Sequence, residues 1–461
     1  MPFQASVVAN VRQSTASAGI SNLNNSIFIS EHAFFKDRIK GYSSMSEVNS
    51  DSAIPKDSNA YKALQQAFSA GTVAVPIYLG RREVDEVLLT PDAKDNTTYK
   101  FTLQVMDTED GSLSEEFTVQ SISATDESAS DIASAIVTAS SIIQASDALV
   151  SVDGNAVSIV ASANRQLIVT GVEELSQTFV STESATTCYA EITEENKEDY
   201  YFVTSESRDE TFVKELAQAV ETSTGSYPKQ YCVASQSILS ISPVTSIYVT
   251  GDILQMIQEN EFTRTFGIWD NNADEIFPEL ATCVKAGGYT VAGKVNWKFL
   301  QNTAPVARHP VKGRILNTAE QGYIKDRNAS WVGNELSLSF LHGGTTANGN
   351  YVDLQIITDW TKITMEARVL TALVNANNGG VPLTMRSSDL SIIKERCESV
   401  LSDGVNNKLF SGFTPIVMPT NISFEDQAGR LLKDVNFVAY FASKINFVII
   451  DGNLTYNEEI Q

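Results

Sequence analysis

The chain has 461 residues, 43% of them hydrophobic and 19% charged, and this length favours two to four structural units. Its 56 acidic and 33 basic residues give a formal charge of −23, which repels phosphate backbones and argues against direct nucleic-acid binding. No segment approaches the roughly 18 to 20 uninterrupted apolar residues of a membrane-spanning helix. We interpret the acidity as a solvated surface that keeps copies apart before assembly.

Residues 1–22 are predicted to form an extended N-terminal arm. Val7, Ala9 and Val11 alternate with other side chains there, which is the pattern of a short strand, and no secretory signal precedes them. We therefore expect synthesis in a cytoplasm. Residues 23–89 are predicted to be the first part of a core, with a helix that begins after Ser58 and a buried strand after it.

Residues 90–185 are rich in Ser, Thr, Ala, Asp and Glu, a change of composition that is typical of an inserted domain. Two hairpins are predicted, one around Asp110–Gly111 and one around Asp153–Gly154, with a helix between them. The sequence thus predicts a ββαββ unit, and its polarity favours an outward-facing position.

Residues 186–288 alternate strand and helix patterns, which predicts a parallel α/β sheet. Ligands of such sheets bind beyond the carboxyl ends of the strands, here near Ser205, Ser235 and Asp270. An α/β enzyme with an unrecognised site is therefore an alternative hypothesis. Ordinary polar loop residues are the stronger interpretation of the three side chains.

Sequence motifs for catalysis, metals or cofactors are incomplete in this chain. Residues 288–295, GYTVAGKV, match a phosphate-binding loop until Val295, which has no hydroxyl to hold Mg²⁺. His32, His309 and His342 lie far apart in the sequence, and the four cysteines form no C-x-x-C pair. We expect no enzyme activity, no metal and no cofactor.

Residues 289–442 are predicted to form a C-terminal core with two helices. The first is predicted to begin at Thr358 or Asp359, and the second at Ser388 with Gly404 as its end. The polar face of the second helix carries Lys394, Glu395, Arg396 and Glu398. Residues 443–461 follow as a C-terminal arm, predicted to be a strand in which the alternating apolar side chains are Ile445, Phe447 and Ile449.

Several stretches of the last 150 residues resemble consecutive landmarks of the contractile bacteriophage (myophage) tail sheath family. They are GYIKDRNASWV, YVDLQIITDWTKITMEARVLTALVN, GGVPLTMRSSDLSIIKERCESVLSDGV and FEDQAGR. A shorter second match is SNAYKALQQAFSAGTVAVPIYLGRR. RNAS replaces the Asn-Ala-Asn turn of the family, EDQAGR keeps part of its Asp-Arg pattern, and the insert matches nothing specific.

The resemblance implies an α/β and α+β multidomain fold, with a mixed-sheet core, exchanged terminal strands and an outward insert. It implies a homo-oligomeric helical sheath that surrounds a tail tube protein, meets baseplate and tail terminator proteins, and contracts to drive the tube through the host envelope. Such a protein belongs to the virion and inserts in no membrane. Lys394, Glu395, Arg396 and Glu398 are then candidates for facing the tube. The Ser/Thr-rich insert leaves a baseplate component or an adhesin as a further alternative.

Overall fold

The computed structural model describes residues 23–223 and 227–451. The chain divides into two compact units, one of them Ser21–Ile356 and the other including Ile357–Gln461. Over the described ranges, no helix combines the length and hydropathy needed to cross a membrane.

The described strands of the first unit are β1 (Ser26–Glu31), β2 (Ile39–Tyr42), β3 (Ile77–Arg82), β4 (Glu86–Pro91), β5 (Thr98–Asp107), β6 (Phe117–Ile122), β7 (Ala148–Asp153), β8 (Ala156–Ala161), β9 (Arg165–Glu173), β10 (Leu175–Val180), β11 (Phe202–Ser205), β12 (Gln230–Ser235), β13 (Thr265–Trp269), β14 (Ser330–Glu335) and β15 (Leu338–His342). Its α-helices are α1 (Met45–Ser50), α2 (Asn59–Ser69), α3 (Ala129–Ala139), α4 (Ala185–Glu195), α5 (Glu210–Thr222), α6 (Ile253–Glu259), α7 (Ala273–Ile276), α8 (Pro278–Gly287), α9 (Thr318–Asp326) and the start of α10 (Val352–Asn378).

A mixed eight-stranded sheet forms the core of this unit, in the order β15-β14-β13-β12-β11-β1-β3-β2. The pairs from β14 through β3 are parallel, whereas β15 and β2 pair antiparallel at the two edges. Every residue of β11, β12 and β13 is buried, as expected for strands with helices on both faces. The predicted mixed α/β multidomain fold class is confirmed.

Helix caps and apolar faces place the helices on this sheet as the sequence predicts. Ser58 accepts a hydrogen bond from the Tyr61 amide at the start of α2, and Asp209 does the same for Phe212 at the start of α5. Phe212, Leu216 and Val220 of α5 are buried in the core.

The inserted region has two sheets on one apolar core, β10-β4-β8-β7 and β6-β5-β9, with α3 packed into the same core. Both predicted hairpins are present: β5 pairs with β6, and β7 pairs with β8. The predicted ββαββ unit has too few strands, because it does not include β4, β9 and β10. The insert strands begin at Glu86 and end at Val180, so β4 crosses the boundary predicted at residue 90. Its outward position stays a prediction.

The glycine-rich stretch 288–295 is a turn after α8, with a short 3₁₀ turn at Ala292–Lys294. A Cβ atom on Gly287 would lie 1.9 Å from the Asn24 carbonyl oxygen, and one on Gly288 would lie 2.7 Å from that of Thr72. Close approach of backbones therefore accounts for Gly288, the first glycine of the stretch, and for Gly287 before it.

The second unit contains the rest of α10, α11 (Ser387–Asn406), β16 (Phe410–Phe413), α12 (Phe424–Ala428) and β17 (Ala439–Phe441) among its described residues. The start predicted for α10 at Thr358 or Asp359 is wrong, because the helix already begins at Val352. Gly404 lies inside α11, not after its end, so the predicted stop signal is also wrong.

Candidate inter-subunit surface

The second unit presents a small sheet with open edges. β16 and β17 pair antiparallel, with Phe410 opposite Phe441 and Phe413 opposite Ala439. Within the described part of the chain this sheet has two strands, so each strand has one edge without a strand partner. Open edges of this kind can accept a strand from another chain, through main-chain hydrogen bonds.

α11 supports this sheet. Val400 and Leu401 are fully buried, and a Cβ atom on Gly404 would lie 2.4 Å from the ring of Phe410, so the glycine allows strand and helix to pack closely. The amide of Ala442, just after β17, donates to the Leu409 carbonyl oxygen at 2.9 Å. The sheet is therefore held firmly enough to act as a template.

An apolar groove of about 480 Å³ lies beside the sheet, within the second unit. Its walls include Met365 from α10 and the rings of Phe410, Phe437 and Phe441. The centroids of the Phe410 and Phe441 rings lie 6.1 Å apart. A groove lined by aromatic side chains beside an open strand edge suits the apolar side chains of an added strand.

Large apolar side chains are exposed across the second unit. Phe424 is 90% exposed and Ile449 is 89% exposed. Others are Leu370, Leu373, Val381, Val417, Leu431, Phe437, Val438, Tyr440, Phe441, Ile445, Phe447, Val448 and Ile450. Exposed apolar surface of this extent marks an interaction site in a folded protein.

The predicted C-terminal strand has no helix or strand assignment over residues 442–451, and the side chains of Ile445, Phe447 and Ile449 are exposed. Pairing with another subunit stays a prediction. Val7, Ala9 and Val11 of the N-terminal arm lie outside the described residues.

The tube-facing candidates lie on one stretch of α11. Glu395 and Arg396 are exposed, and the ammonium of Lys394 lies 3.8 Å from the carboxylate of Glu398. Glu398 also accepts a hydrogen bond from the Ile416 amide at 3.0 Å, so it holds the chain after β16 in place. A contact with a tube stays a prediction for all four residues.

The polar residues at the carboxyl edge of the parallel sheet have local partners. The Ser205 hydroxyl lies 2.9 Å from the Tyr231 hydroxyl, within hydrogen-bond distance. The Ser235 hydroxyl accepts a hydrogen bond from the backbone amide of Ser237. Asp270 accepts from the Asn272 amide, and burial raises the pKa of its carboxyl to about 6. Within the described ranges, no three His, Cys, Asp or Glu side chains gather closely enough to hold a metal ion.

Sequence reasoning missed Arg208, which organises this edge. Its guanidinium donates to the buried carboxylate of Glu279 at 2.8 Å, to Asp274 at 3.0 Å and to the Ser205 carbonyl oxygen at 2.9 Å. Reasoning also missed the aromatic groove, although the run FVAYF at residues 437–441 was a visible signal. The ion pairs of Arg208 join segments about 70 residues apart and left no signal in the sequence.

A multidomain α/β protein that exposes open sheet edges, an aromatic groove and an apolar segment in one unit has the surface of an assembly protein. Comparisons with known proteins bear on this class. No family model matches the chain, and no curated protein matches it.

Solved structures do match. A chain in the cryo-EM structure of the anti-feeding prophage (AFP) baseplate superimposes with a TM-score of 0.52 at 10% identity, covering 98% of this chain and 100% of that chain. The sheath tail protein from Desulfitobacterium hafniense gives a TM-score of 0.45 at 8% identity, covering 90% of this chain and 93% of that chain. The first match shows a shared fold over essentially the full length of both chains.

Proposed function

We propose that this chain is a structural subunit of a contractile phage-type tail, a sheath protein that polymerises helically around a tail tube. The observation that carries the proposal is the fold shared with a chain of the AFP baseplate over essentially the full length of both. The landmark segments in the last 150 residues point to the same family independently of that superposition.

Subunits are linked by exchange of terminal strands in this proposal. Ile445, Phe447 and Ile449 alternate, as the side chains of a donated strand must, and β16, β17 and the aromatic groove offer a place to receive them. Each main-chain hydrogen bond contributes only about 0.5 to 1.5 kcal/mol net. Many such links, repeated over a helical lattice, hold subunits together while the subunits rotate.

The assembled sheath contracts and drives the tube through the host envelope, and its partners are further copies, the tube protein, and baseplate and tail terminator proteins. Assembly takes place in the host cytoplasm and the product is part of the virion. The proposal assigns no catalytic step to the chain. Lys394, Glu395, Arg396 and Glu398 are retained as the candidate tube contacts, because charged side chains suit a contact that must release.

A baseplate component is the second candidate, favoured because the matched chain belongs to a baseplate structure. The two functions differ in the form of the polymer, since a sheath builds long hollow tubes and a baseplate component builds rings or complexes of fixed size. Negative-stain electron microscopy of the purified chain separates them.

The arm exchange is tested by deleting residues 445–461. We expect the shortened protein to keep its circular dichroism spectrum and unfolding transition but to form no tubes. The double substitution F447D/I449D should act in the same way, because a buried carboxylate opposes docking in an apolar groove. A control is L336D, which adds one such carboxylate at a 99% exposed leucine of the first unit and should leave polymerisation unchanged. Tubes formed by the shortened protein would refute the arm exchange.

A further inference from the structure

A cavity of about 280 Å³ lies inside the first unit, where the core sheet, the start of α2 and the inserted domain meet. Its lining includes Glu31 at the end of β1, Glu206 just after β11, and Gln177 and Phe179 of β10. Glu206 follows Ser205 at the carboxyl edge of the sheet, but none of Ser205, Ser235 and Asp270 lines the cavity.

The position of the cavity in the sheet favours ligand binding. β1 pairs in parallel with β3 on one side and with β11 on the other. The chain runs from β1 outward to β3, and from β11 outward in the opposite direction to β12 and β13. Ligands of open α/β sheets bind outside the carboxyl ends of strands at such a reversal, which is where Glu31 and Glu206 lie.

The lining of the cavity is acidic. Glu31, Asp57 and Glu206 contribute carboxylates, whereas no lysine, arginine or histidine lines the cavity. Arg82 pairs with Glu31, and its guanidinium also lies 4.3 Å from the centre of the Phe212 ring. One carboxylate oxygen of Glu206 accepts a hydrogen bond from the backbone amide of Glu31.

Burial, together with the negative charge of Glu31, raises the pKa of Glu206 to about 7. Hydrogen bonds from the Glu31 amide and the Asn59 side chain, and the charge of Arg208, oppose this rise without cancelling it. Above pH 7 the Glu206 carboxylate is ionised, and a cation bound in the cavity would then interact with its charge.

Two further features of the lining suit an organic ammonium ion, which has N–H groups at one end and an alkyl group at the other. The side-chain oxygen of Gln177 is enclosed and has no hydrogen-bond partner among the described residues. Phe34 and Phe179 line the cavity with ring centroids 5.7 Å apart. Unsatisfied amide groups are costly, by about 1 to 3 kcal/mol each, and aromatic faces attract ammonium ions.

We propose that this cavity binds a small organic ammonium ion. Its N–H groups donate to the carboxylates of Glu31 and Glu206 and to the Gln177 side-chain oxygen, and its alkyl part packs on Phe34 and Phe179. The site is independent of polymerisation and of the terminal arms, so it stands or falls separately from the proposed function.

The test uses n-butylammonium chloride as the probe, titrated into the full-length chain at constant ionic strength in an isothermal calorimeter. n-Butanol, which has a similar size and no charge, is the matched control ligand. We expect saturable binding of butylammonium and at least tenfold weaker binding of butanol. Absence of saturable butylammonium binding, or equal binding of the two ligands, would overturn the proposal, with water as the occupant in the first case and a merely apolar cavity in the second.

Variants locate the site. E206Q and Q177L should each weaken butylammonium binding about tenfold, which corresponds to about 1.4 kcal/mol. E425Q, which neutralises an exposed carboxylate of the second unit, should bind like the unsubstituted protein. Because two variants are tested separately, a folding defect in one of them still leaves the other to test the site. Unchanged binding by both variants would place the ligand elsewhere and refute the assignment.

Discussion

Arg327 and Asp252 form an ion pair in the core of the first unit, with side chains that are each only 2% exposed. The guanidinium also donates to the carbonyl oxygens of Leu239, Ser242 and Tyr323. Asp252 in turn caps α6 by accepting from the Gln255 amide. This single residue pair therefore joins the end of α9 to residues that lie 75 to 88 positions earlier in the sequence.

Replacement of Arg327 by methionine should destabilise the first unit by about 3 to 5 kcal/mol, because it leaves the Asp252 carboxylate buried without its partner. Urea unfolding followed by circular dichroism measures the change. K433M breaks an ion pair with Asp426 in which the Lys433 side chain is 55% exposed, and it should cost less than about 1 kcal/mol. Similar losses for the two variants would contradict the role of burial.

Glu206 should make the stability of the first unit depend on pH. Its pKa is raised to about 7, so the native state holds this proton more tightly than the unfolded chain does. The stabilisation is complete below pH 4.5 and is lost as the pH rises to about 7.

E206Q removes this titration. The variant should match the unsubstituted protein near pH 4 and should exceed it by up to roughly 3 kcal/mol near pH 8. Urea unfolding of both proteins across this pH range gives the difference, in which the other titrating groups cancel. A stability difference that does not change with pH would show that Glu206 ionises normally.

At the scale of elements, glycines inside helices show how context reverses an intrinsic preference. Alanine is normally the better helix residue, by about 1 kcal/mol. Gly322 of α9 has no atom within 4 Å of an added Cβ, whereas the added Cβ at Gly404 of α11 would overlap the Phe410 ring.

G322A should therefore stabilise the first unit by about 0.5 to 1 kcal/mol, and G404A should destabilise the second by about 1 to 3 kcal/mol. Thermal unfolding of the two variants measures both changes in stability and shows whether they have opposite signs. A stabilising effect of G404A would mean that the Phe410 ring moves aside without cost.

The same contrast explains which elements were predictable. α2 was predicted correctly because its cap, Ser58, and its apolar spacing lie within a dozen residues of sequence. Gly404 was interpreted as a helix end because the ring that requires it belongs to the following strand. β9 and β10 were missed because their partners, β5 and β4, lie at least 58 residues earlier, as the pair Asp107 and Arg165 shows.

At the scale of the whole molecule, the formal charge of −23 opposes contact between copies. If the chain polymerises through apolar arms and open strand edges, salt should favour assembly by screening this repulsion. We expect light scattering to show a lower critical concentration at 500 mM than at 50 mM sodium chloride.

The shortened protein that lacks residues 445–461 provides the control, since it should scatter weakly at both salt concentrations. A critical concentration that rises with salt would indicate that complementary charges, including those of α11, dominate the contacts between subunits.

The sequence by itself determined the alternation of strands and helices in residues 186–288, the two hairpins of the insert and the apolar character of the C-terminal segment. Each of these depends on local periodicity, turn residues or composition. The landmark segments also carry the resemblance to the sheath family.

Only the tertiary structure decided the order of the eight strands, the aromatic groove beside β17 and the cavity between Glu31, Gln177 and Glu206. These features bring together residues as much as 175 positions apart, such as Glu31 and Glu206. Packing and burial create them, and neither leaves a periodic trace in the sequence of any one segment.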